Sequence, residues 1–155
     1  MKIEAITLRE IRMKLRTPFE ISSGTTSERR VLLVEAQSEG VTGWAEAQCS
    51  EGPFFNSETT DSAWAVLRDF LVPMVLGQEV GAATGVAEIL SRVRGNNMAK
   101  AALENAVWDL EAHQKGLPLW KLLGGTIEEI SCGVSIGLQP AVEFLLGKVD
   151  TEIGR

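Results

Sequence analysis

The spacing of the apolar residues changes near Ser57, and this change constrains the fold more than any other feature. Before Ser57, apolar and polar residues alternate as they do in β-strands, and after it they recur with helical spacing. Three strand-like segments precede the change, at Lys2–Arg16, Arg30–Gln37 and Val41–Gln48. A turn at Gly40 joins the last two segments as a hairpin. The pattern predicts a three-stranded antiparallel sheet followed by helices.

Two segments of the first part follow neither spacing. Thr17–Glu28 is rich in Ser, Thr and Gly, and Cys49–Ser57 contains Gly, Pro and two adjacent Phe residues. This composition is typical of connections that run over the surface of a protein. We therefore expect one loop between the first two strands and a second loop after the third strand.

Helical spacing is clearest in Met98–Lys115. The residues of its apolar stripe are Ala99, Ala102, Leu103, Ala106 and Leu110. Because most of this stripe is alanine, we expect a neighbouring backbone to approach the helix closely. Asn97 is the predicted N-cap, and Gly116 is the predicted C′ residue.

Shorter helices are predicted on both sides of this long helix. One begins at a cap on Ser57 or Thr60 and ends at Leu76. Two more are predicted at Val86–Arg94 and at Pro118–Leu123. Together with the sheet, these helices predict an α+β fold, namely a three-stranded sheet followed by a helical bundle.

The segment after Gly125 predicts one strand and one helix. In Ile130–Leu138, apolar residues alternate with Ser and Gly, and Pro140–Ile153 has helical spacing. A strand followed by a helix is the opening half of a βαβ unit, which requires a parallel partner strand. No such strand follows before Arg155, so we expect Ile130–Leu138 to be unpaired.

Composition argues against several classes of function. The 155 residues include 15 Lys and Arg against 21 Asp and Glu, and the net charge of −6 disfavours nucleic-acid and anionic-membrane partners. Ile130–Val142, the longest run without a charged side chain, is shorter than the roughly 18 apolar residues of a membrane helix. Cys49, Cys132 and the single His form no zinc motif. We expect a cytoplasmic protein with two buried, reduced thiols.

The remaining charged and aromatic side chains of the long helix region are assigned structural roles. Glu104, Asp109 and Glu111 are expected to form ion pairs with Lys100, Lys115 or Arg94. His113 is expected at the surface. The four tryptophans are expected to anchor the core and the helix packing, and they are Trp44, Trp64, Trp108 and Trp120.

The segment Ala99–Gly125 resembles the N-terminal signature of the enolase superfamily, of the mandelate racemase and muconate-lactonising type. The matching residues are Leu103-Glu104, Ala106, Asp109-Leu110, Pro118-Leu119 and Leu122-Leu123-Gly124. Val107 and His113 are mild departures from the usual pattern. Within the superfamily, the segments TPFEISSGTTSERRVLLVE, RGNNMAKAALE and VSIGLQ are most similar to o-succinylbenzoate synthases that also racemise N-acylamino acids.

The resemblance implies two domains and a reaction. It implies an α+β capping domain over residues 1–125 and the first βα unit of a truncated (β/α) barrel over residues 126–155. In this family a Lys removes the proton α to a substrate carboxylate, and Mg²⁺ held by three barrel carboxylates stabilises the product of that step. Loss of water or reprotonation then gives dehydration or racemisation.

The same resemblance implies that the catalytic groups are not in this sequence. The family's Lys-x-Lys pair does not occur in the sequence, and Lys148 is the last lysine. We therefore predict no catalytic residue and no metal ligand here, and we expect this polypeptide alone to be inactive and to bind no Mg²⁺. The small carboxylate substrate is expected to bind through the missing barrel.

The resemblance also implies that the two irregular segments cover the substrate. It implies substrate-binding roles for Phe19 and Thr25 in the first segment, with hydroxyls from Ser22 and Ser23, and for Phe54-Phe55 in the second. The alternatives are structural. In the alternative for Phe19, its ring anchors the loop in the core. Of the adjacent phenylalanine pair, one ring is expected to be core.

Ser135 is the remaining candidate for substrate binding. On the Ile130–Leu138 strand its neighbours Gly133 and Gly137 leave room beside it. The resemblance places this face of the strand inside the barrel, where the hydroxyl would donate to an acyl or carboxylate oxygen of the ligand. The alternative is that Ser135 only fills a layer of the barrel interior.

Two other functions stay open at this point. One is a non-catalytic α+β module that associates, as a homo-oligomer or otherwise, through Ile130–Leu138 and the apolar face of the last helix. The other is a sibling specificity of the same superfamily, such as a dipeptide epimerase or a cycloisomerase.

Overall fold

The computed structural model describes residues 1–21 and 24–154 and divides the chain into two compact units. We call residues 1–13 and 30–126 the core unit, and residues 14–29 and 127–155 the hairpin unit. The first two strands of the sheet run through both units, since their outer parts belong to the hairpin unit. The predicted domain boundary at residue 125 stays a prediction.

The sheet has three strands, which are β1 (Ala5–Ile21), β2 (Gly24–Ser38) and β3 (Val41–Ala47), in the order β1-β2-β3. β2 and β3 pair antiparallel, and the hairpin turn between them has positive φ at both Glu39 (52°) and Gly40 (77°). Such a turn matches the twist of the two strands that it joins. The predicted three-stranded antiparallel sheet is confirmed.

β1 and β2 are longer than the sequence predicted. Apart from Ser22 and Ser23, which lie outside the described residues, the whole of Thr17–Glu28 belongs to these two strands. The predicted loop is therefore wrong. The segment contains Thr, Phe and Ile, which favour extended backbone, and each strand satisfies the backbone hydrogen bonds of the other.

The helices follow β3 in the predicted order. They are α1 (Thr60–Val66), a π-helical turn (Leu67–Leu71), α2 (Val72–Val75), α3 (Thr84–Leu90), α4 (Asn97–Lys115), α5 (Leu119–Leu122) and α6 (Val142–Ile153). Thr59 caps α1, because its side chain accepts from the Ser62 N–H while the Ser62 hydroxyl accepts from the Thr59 N–H. Neither Ser57 nor Thr60, the predicted caps, has this role.

α4 is the central helix of the core unit. Its predicted range is confirmed to within one residue, and Gly116 ends it with a φ of 61°, as predicted. β3 approaches it closely, since a Cβ atom built on Gly43 would lie 2.2 Å from the Ala106 carbonyl oxygen. The alanine stripe of α4 makes this close approach possible. The core that results contains fully buried side chains from β2 and α4, among them Leu32, Val34, Leu103, Val107 and Leu110.

α4 also covers the outer edge of β3. The backbone N–H of Trp44 donates to the Asp109 carboxylate at 2.8 Å, and His113 Nδ1 lies 3.1 Å from the Thr42 carbonyl oxygen. These contacts satisfy backbone groups of an edge strand. Asp109 thus binds backbone rather than the predicted Lys or Arg partner, while the expected exposure of His113 is confirmed.

The structural roles predicted for the remaining acidic residues and for the tryptophans are confirmed only in part. Glu111 pairs with Lys115 as predicted, whereas Glu104 accepts from the indole N–H of Trp108. Trp64 and Trp108 pack against the core, but Trp44 and Trp120 are about half exposed and do not anchor it.

The hairpin unit has a different character. α6 forms as predicted, but no strand is assigned in Ile130–Leu138, so that prediction is wrong. A strand needs a partner for its backbone groups, and the part of the chain that the structure describes pairs none with this segment.

Cys49 is half-buried and Cys132 is exposed, both as free thiols, so the predicted burial of Cys132 is also wrong. No helix in the described ranges is long and apolar enough to cross a membrane.

Candidate functional site

The tip of the β1–β2 hairpin carries two of the predicted substrate-binding residues. Phe19 lies in β1 and Thr25 in β2, on either side of Ser22 and Ser23, of which the structure describes nothing. Thr25 is exposed, and the side chain of Phe19 is 44% exposed. The structural alternative, in which Phe19 anchors a loop in the core, is therefore wrong.

Ser135 belongs to the same unit as the hairpin tip. A Cβ atom built on Gly137 would lie 3.4 Å from the Glu20 carbonyl oxygen and 4.0 Å from the Phe19 ring. The segment that carries Ser135 thus passes beside Phe19 within the hairpin unit. Ser135 itself is exposed, which leaves its hydroxyl free to meet a ligand oxygen. Its assignment as a substrate contact remains a prediction.

The predicted loop after β3 is present in the core unit, and its aromatic residues point to solvent. Phe54 is 97% exposed and Phe55 is 93% exposed. The expectation that one ring is core is wrong. The ring of Phe54 lies over the backbone of Gly52, where a Cβ atom would come within 2.6 Å of it. Glycine at this position leaves the space above the loop backbone that the Phe54 ring occupies.

The base of this loop is closed by backbone contacts. Ser50 forms an isolated parallel bridge with Thr59, and the Thr60 N–H donates to the Ser50 carbonyl oxygen at 3.0 Å. Asn56 accepts from the Glu58 N–H at 3.1 Å, which closes the second half of the loop. Two exposed aromatic rings therefore project from a loop whose two ends are held together.

Glu58 is a polar residue of this region that sequence reasoning missed. It is 9% exposed, and its two carboxylate oxygens accept from the N–H groups of Met98 (3.0 Å) and Ala99 (3.1 Å) at the start of α4. Asn97 is inside the helix, so its prediction as the cap is wrong; Asn96 precedes the helix without a side-chain cap bond. No local sequence signal links Glu58 to a helix 40 residues away.

Cys49 begins the loop and is not activated as a nucleophile. Burial raises the pKa of its thiol, and the negative charge of Glu58 raises it further. A higher pKa leaves less thiolate at neutral pH, and the thiolate is the reactive form. Cys49 is therefore a packing residue of the loop base.

The described residues do not form a Mg²⁺ site. Within residues 1–21 and 24–154, no three His, Cys, Asp or Glu side chains converge in a way that would hold a metal ion. A magnesium site in a protein is built from carboxylate and other oxygen ligands around one point. Any chemistry that needs such an ion therefore needs ligands other than these.

Comparison with known proteins gives the family. Residues 2–124 match the model of the mandelate racemase / muconate lactonizing enzyme N-terminal domain. The chain belongs to this family. Its sheet and helices are those of the N-terminal capping domain of the enolase superfamily, as the sequence predicted.

The relatives of this enolase-superfamily chain include enzymes of two named activities. It is 41% identical over 156 residues to the o-succinylbenzoate synthase of Geobacillus stearothermophilus, covering 100% of this chain and 42% of the relative. It is 39% identical over 153 residues to the N-succinylamino acid racemase of Thermus thermophilus, covering 99% and 42%. The chain thus spans well under half the length of these relatives.

Solved structures of the superfamily show the same fold. A member from Listeria innocua superposes with a TM-score of 0.91 at 34% identity, covering 99% of this chain and 42% of the other. The L-Ala-D/L-Glu epimerase of Bacillus subtilis superposes with a TM-score of 0.71 at 29% identity, covering 79% and 34%. The predicted resemblance is confirmed at the level of the family and the fold.

Proposed function

We propose that this chain is the substrate-covering part of an enzyme of the o-succinylbenzoate synthase and N-acylamino acid racemase type. Such an enzyme removes the proton α to a carboxylate and then dehydrates or racemises the substrate. The observation that carries the proposal is the Phe54-Phe55 pair, more than 90% exposed on a loop with a closed base. Relatives with these two activities, at 41% and 39% identity, support it.

The residues of this chain bind and shield rather than react. Apolar rings over a ligand remove water, and electrostatic interactions strengthen where water is excluded. Phe19, Phe54 and Phe55 supply such rings, and the exposed hydroxyls of Thr25 and Ser135 supply hydrogen-bond donors for a carboxylate or acyl oxygen. Mg²⁺ would supply charge stabilisation for the reaction, but the described residues give it no site, and the base is a lysine outside this sequence.

A chimera tests the proposal directly. Residues 1–155 replace the matching 156-residue segment of the Geobacillus stearothermophilus o-succinylbenzoate synthase. We expect the purified chimera to form o-succinylbenzoate with a kcat/KM within about a hundredfold of the parent enzyme, since an imperfect lid costs positioning but not the chemical groups. A chimera that folds but has no activity would contradict the proposal.

The matched control removes only the aromatic tip of the loop. In the chimera, the double variant Phe54→Ala, Phe55→Ala is expected to lower kcat/KM by about tenfold or more, because each ring contributes roughly 1.5–3 kcal/mol when it is buried. Both rings are exposed in the free chain. The same double substitution should therefore leave the melting temperature of the free chain unchanged. An unaltered kcat/KM would remove the rings from the proposed site.

The chain by itself should be inactive. Incubated with Mg²⁺ and either substrate, the 155-residue polypeptide is expected to give no dehydration and no racemisation. Measurable turnover would show that a catalytic base lies within this sequence. A cytoplasmic location and the absence of nucleic-acid and membrane partners belong to the same proposal.

The association module is retained as a second candidate because of one observation. The apolar stripe of α6 consists of Val142, Leu145, Leu146, Val149 and Ile153, and all of these except Val149 are exposed. Ile130 is 76% exposed. Exposed apolar surface of this kind marks interaction sites. Light scattering on the isolated chain tests it: a monomer across the micromolar range would contradict self-association through these segments.

A sibling specificity is tested by the chimera's substrate profile. The chain is also 30% identical over 130 residues to a chloromuconate cycloisomerase of Pseudomonas putida. Preference for a dipeptide or a muconate over the succinyl substrates would favour that alternative over the proposed activity.

A further inference from the structure

We infer that Glu58 is a positioning residue, which fixes the Phe54–Phe55 loop to the N-terminus of α4. Its carboxylate is the physical link between the two, and nothing in the sequence or in the comparisons gives it this role. The inference deepens the proposed function. Only the expected effect of Glu58 on substrate binding rests on that function. The link itself is a property of the core unit and is measured without any substrate.

The first step is the state of the helix terminus. The first N–H groups of an α-helix have no partner within the helix, and the helix dipole favours a negative charge beside them. In α4 the preceding residue, Asn96, has left-handed backbone geometry and makes no side-chain cap bond. The two oxygens of Glu58 instead accept from Met98 and Ala99, at 3.0 and 3.1 Å. Glu58 thus caps α4 from another part of the chain.

The second step is the place of Glu58 in the loop. Its own N–H donates to Asn56, two residues earlier, and the next residue, Thr59, both bridges to Ser50 and caps α1. One residue therefore closes the loop, adjoins the start of α1 and holds the start of α4. The loop base cannot move without breaking two hydrogen bonds that the N–H groups of α4 donate to a carboxylate that is 9% exposed. Bonds to an ionised group are the strong ones among hydrogen bonds.

The third step concerns the aromatic tip. Phe54 lies over Gly52, so its ring projects from a loop whose base Glu58 fixes. A surface that is ordered before the ligand arrives loses less conformational freedom on binding. Loss of Glu58 should therefore weaken substrate binding through Phe54 and Phe55 while it leaves the chemical groups untouched.

Hydrogen exchange on the 155-residue chain measures the link. The reporting amides are those of positions 58 and 60, which close the loop base. In Glu58→Ala both should exchange at least about tenfold faster, because two bonds to a charged group are lost. Glu58→Gln keeps the shape and one acceptor oxygen, so it should restore part of the protection.

Glu111 provides the matched control. It is a second buried carboxylate, and it accepts from the Ala83 N–H at 2.6 Å, at the residue that precedes α3. Glu111→Ala should destabilise the core unit and leave exchange at positions 58 and 60 unchanged under native conditions. Equal acceleration in Glu58→Ala and Glu111→Ala would overturn the inference, because it would show global destabilisation only.

The chimera gives the second readout. Glu58→Gln is expected to raise KM about threefold to tenfold with kcat within twofold, whereas Glu111→Gln should change neither beyond twofold. A fall in kcat with KM unchanged would overturn the positioning role. If the unmodified chimera is inactive, the proposed function fails, and the exchange experiment still decides whether Glu58 holds the loop.

Discussion

α4 and α6 have the same kind of apolar spacing and opposite surroundings. In α4 the stripe that includes Leu103 and Leu110 is fully buried against β3 and the other helices of the core unit. In α6 no residue is buried, and Leu146 is 57% exposed. Spacing therefore decides that a helix forms with one apolar face. Whether this face is buried depends on a partner that the helix itself does not specify.

The largest expected difference between the two units comes from a pair of glycine substitutions. Gly43→Ala should reduce the free energy of unfolding by about 4 kcal/mol or more, since the new methyl group would overlap Ala106 and Leu110 backbone atoms at 2.2 Å. Gly133→Ala should change it by less than about 1 kcal/mol, because nothing lies within 4 Å of the added atom. Urea unfolding followed by circular dichroism measures both.

The comparison fails if the two glycine variants are equally stable. In that case β3 and α4 would be able to separate without cost, and the core unit would be no better packed than the hairpin unit.

A smaller effect is expected from truncating one leucine in each helix. Leu103→Ala should cost about 2–5 kcal/mol, because it leaves a cavity in a fully buried position. Leu146→Ala, at a position that is 57% exposed, should cost less than about 0.5 kcal/mol. A large cost for Leu146→Ala would show that α6 has a partner in solution, and concentration dependence of the unfolding curve would identify this partner as a second copy.

The smallest effect is a pH dependence within the core unit. Burial would raise the pKa of Glu111, but hydrogen bonds from Lys115 and the Ala83 N–H lower it below its usual value. A group whose pKa is lowered by folding stabilises the protein above its unfolded pKa, here about 4.3, and this contribution is lost as the pH falls through the folded value.

Glu111→Gln tests this dependence. The variant should be less stable than the parent by about 1–3 kcal/mol at pH 7, and the difference should shrink as the pH falls below about 4. Thermal melts from pH 7 to pH 3 measure it, with Leu146→Ala as a control without a titratable change. A constant difference across this range would show that the Glu111 charge makes no contribution.

Local patterns predicted the parts of the fold that depend on neighbours in sequence. The hairpin around Gly40, the range of α4 and its end at Gly116 follow from spacing and turn chemistry, and the alanine stripe indicated the close approach of β3. The predicted loop at Thr17–Glu28 failed because its Ser and Gly content concealed two strands that stabilise each other across the hairpin.

The candidate site was predicted less completely. The family resemblance predicts that the two segments carrying Phe19 and Phe54-Phe55 cover the substrate, but which rings are exposed depends on contacts such as that between Phe54 and Gly52. Glu58 could not be predicted, because its partners Met98 and Ala99 are distant in sequence and any acidic residue near a loop gives the same local pattern. The prediction of a strand at Ile130–Leu138 failed because a strand forms only when a second segment pairs with its backbone.

The contacts of Asp109 and His113 with β3 have a consequence for how copies of this chain can join. They occupy backbone groups along the free side of β3, so a strand from another copy cannot pair with β3 unless it displaces α4. Fibres built by strand addition need two available borders on every molecule. The side of β3 that α4 covers is therefore not available for such growth.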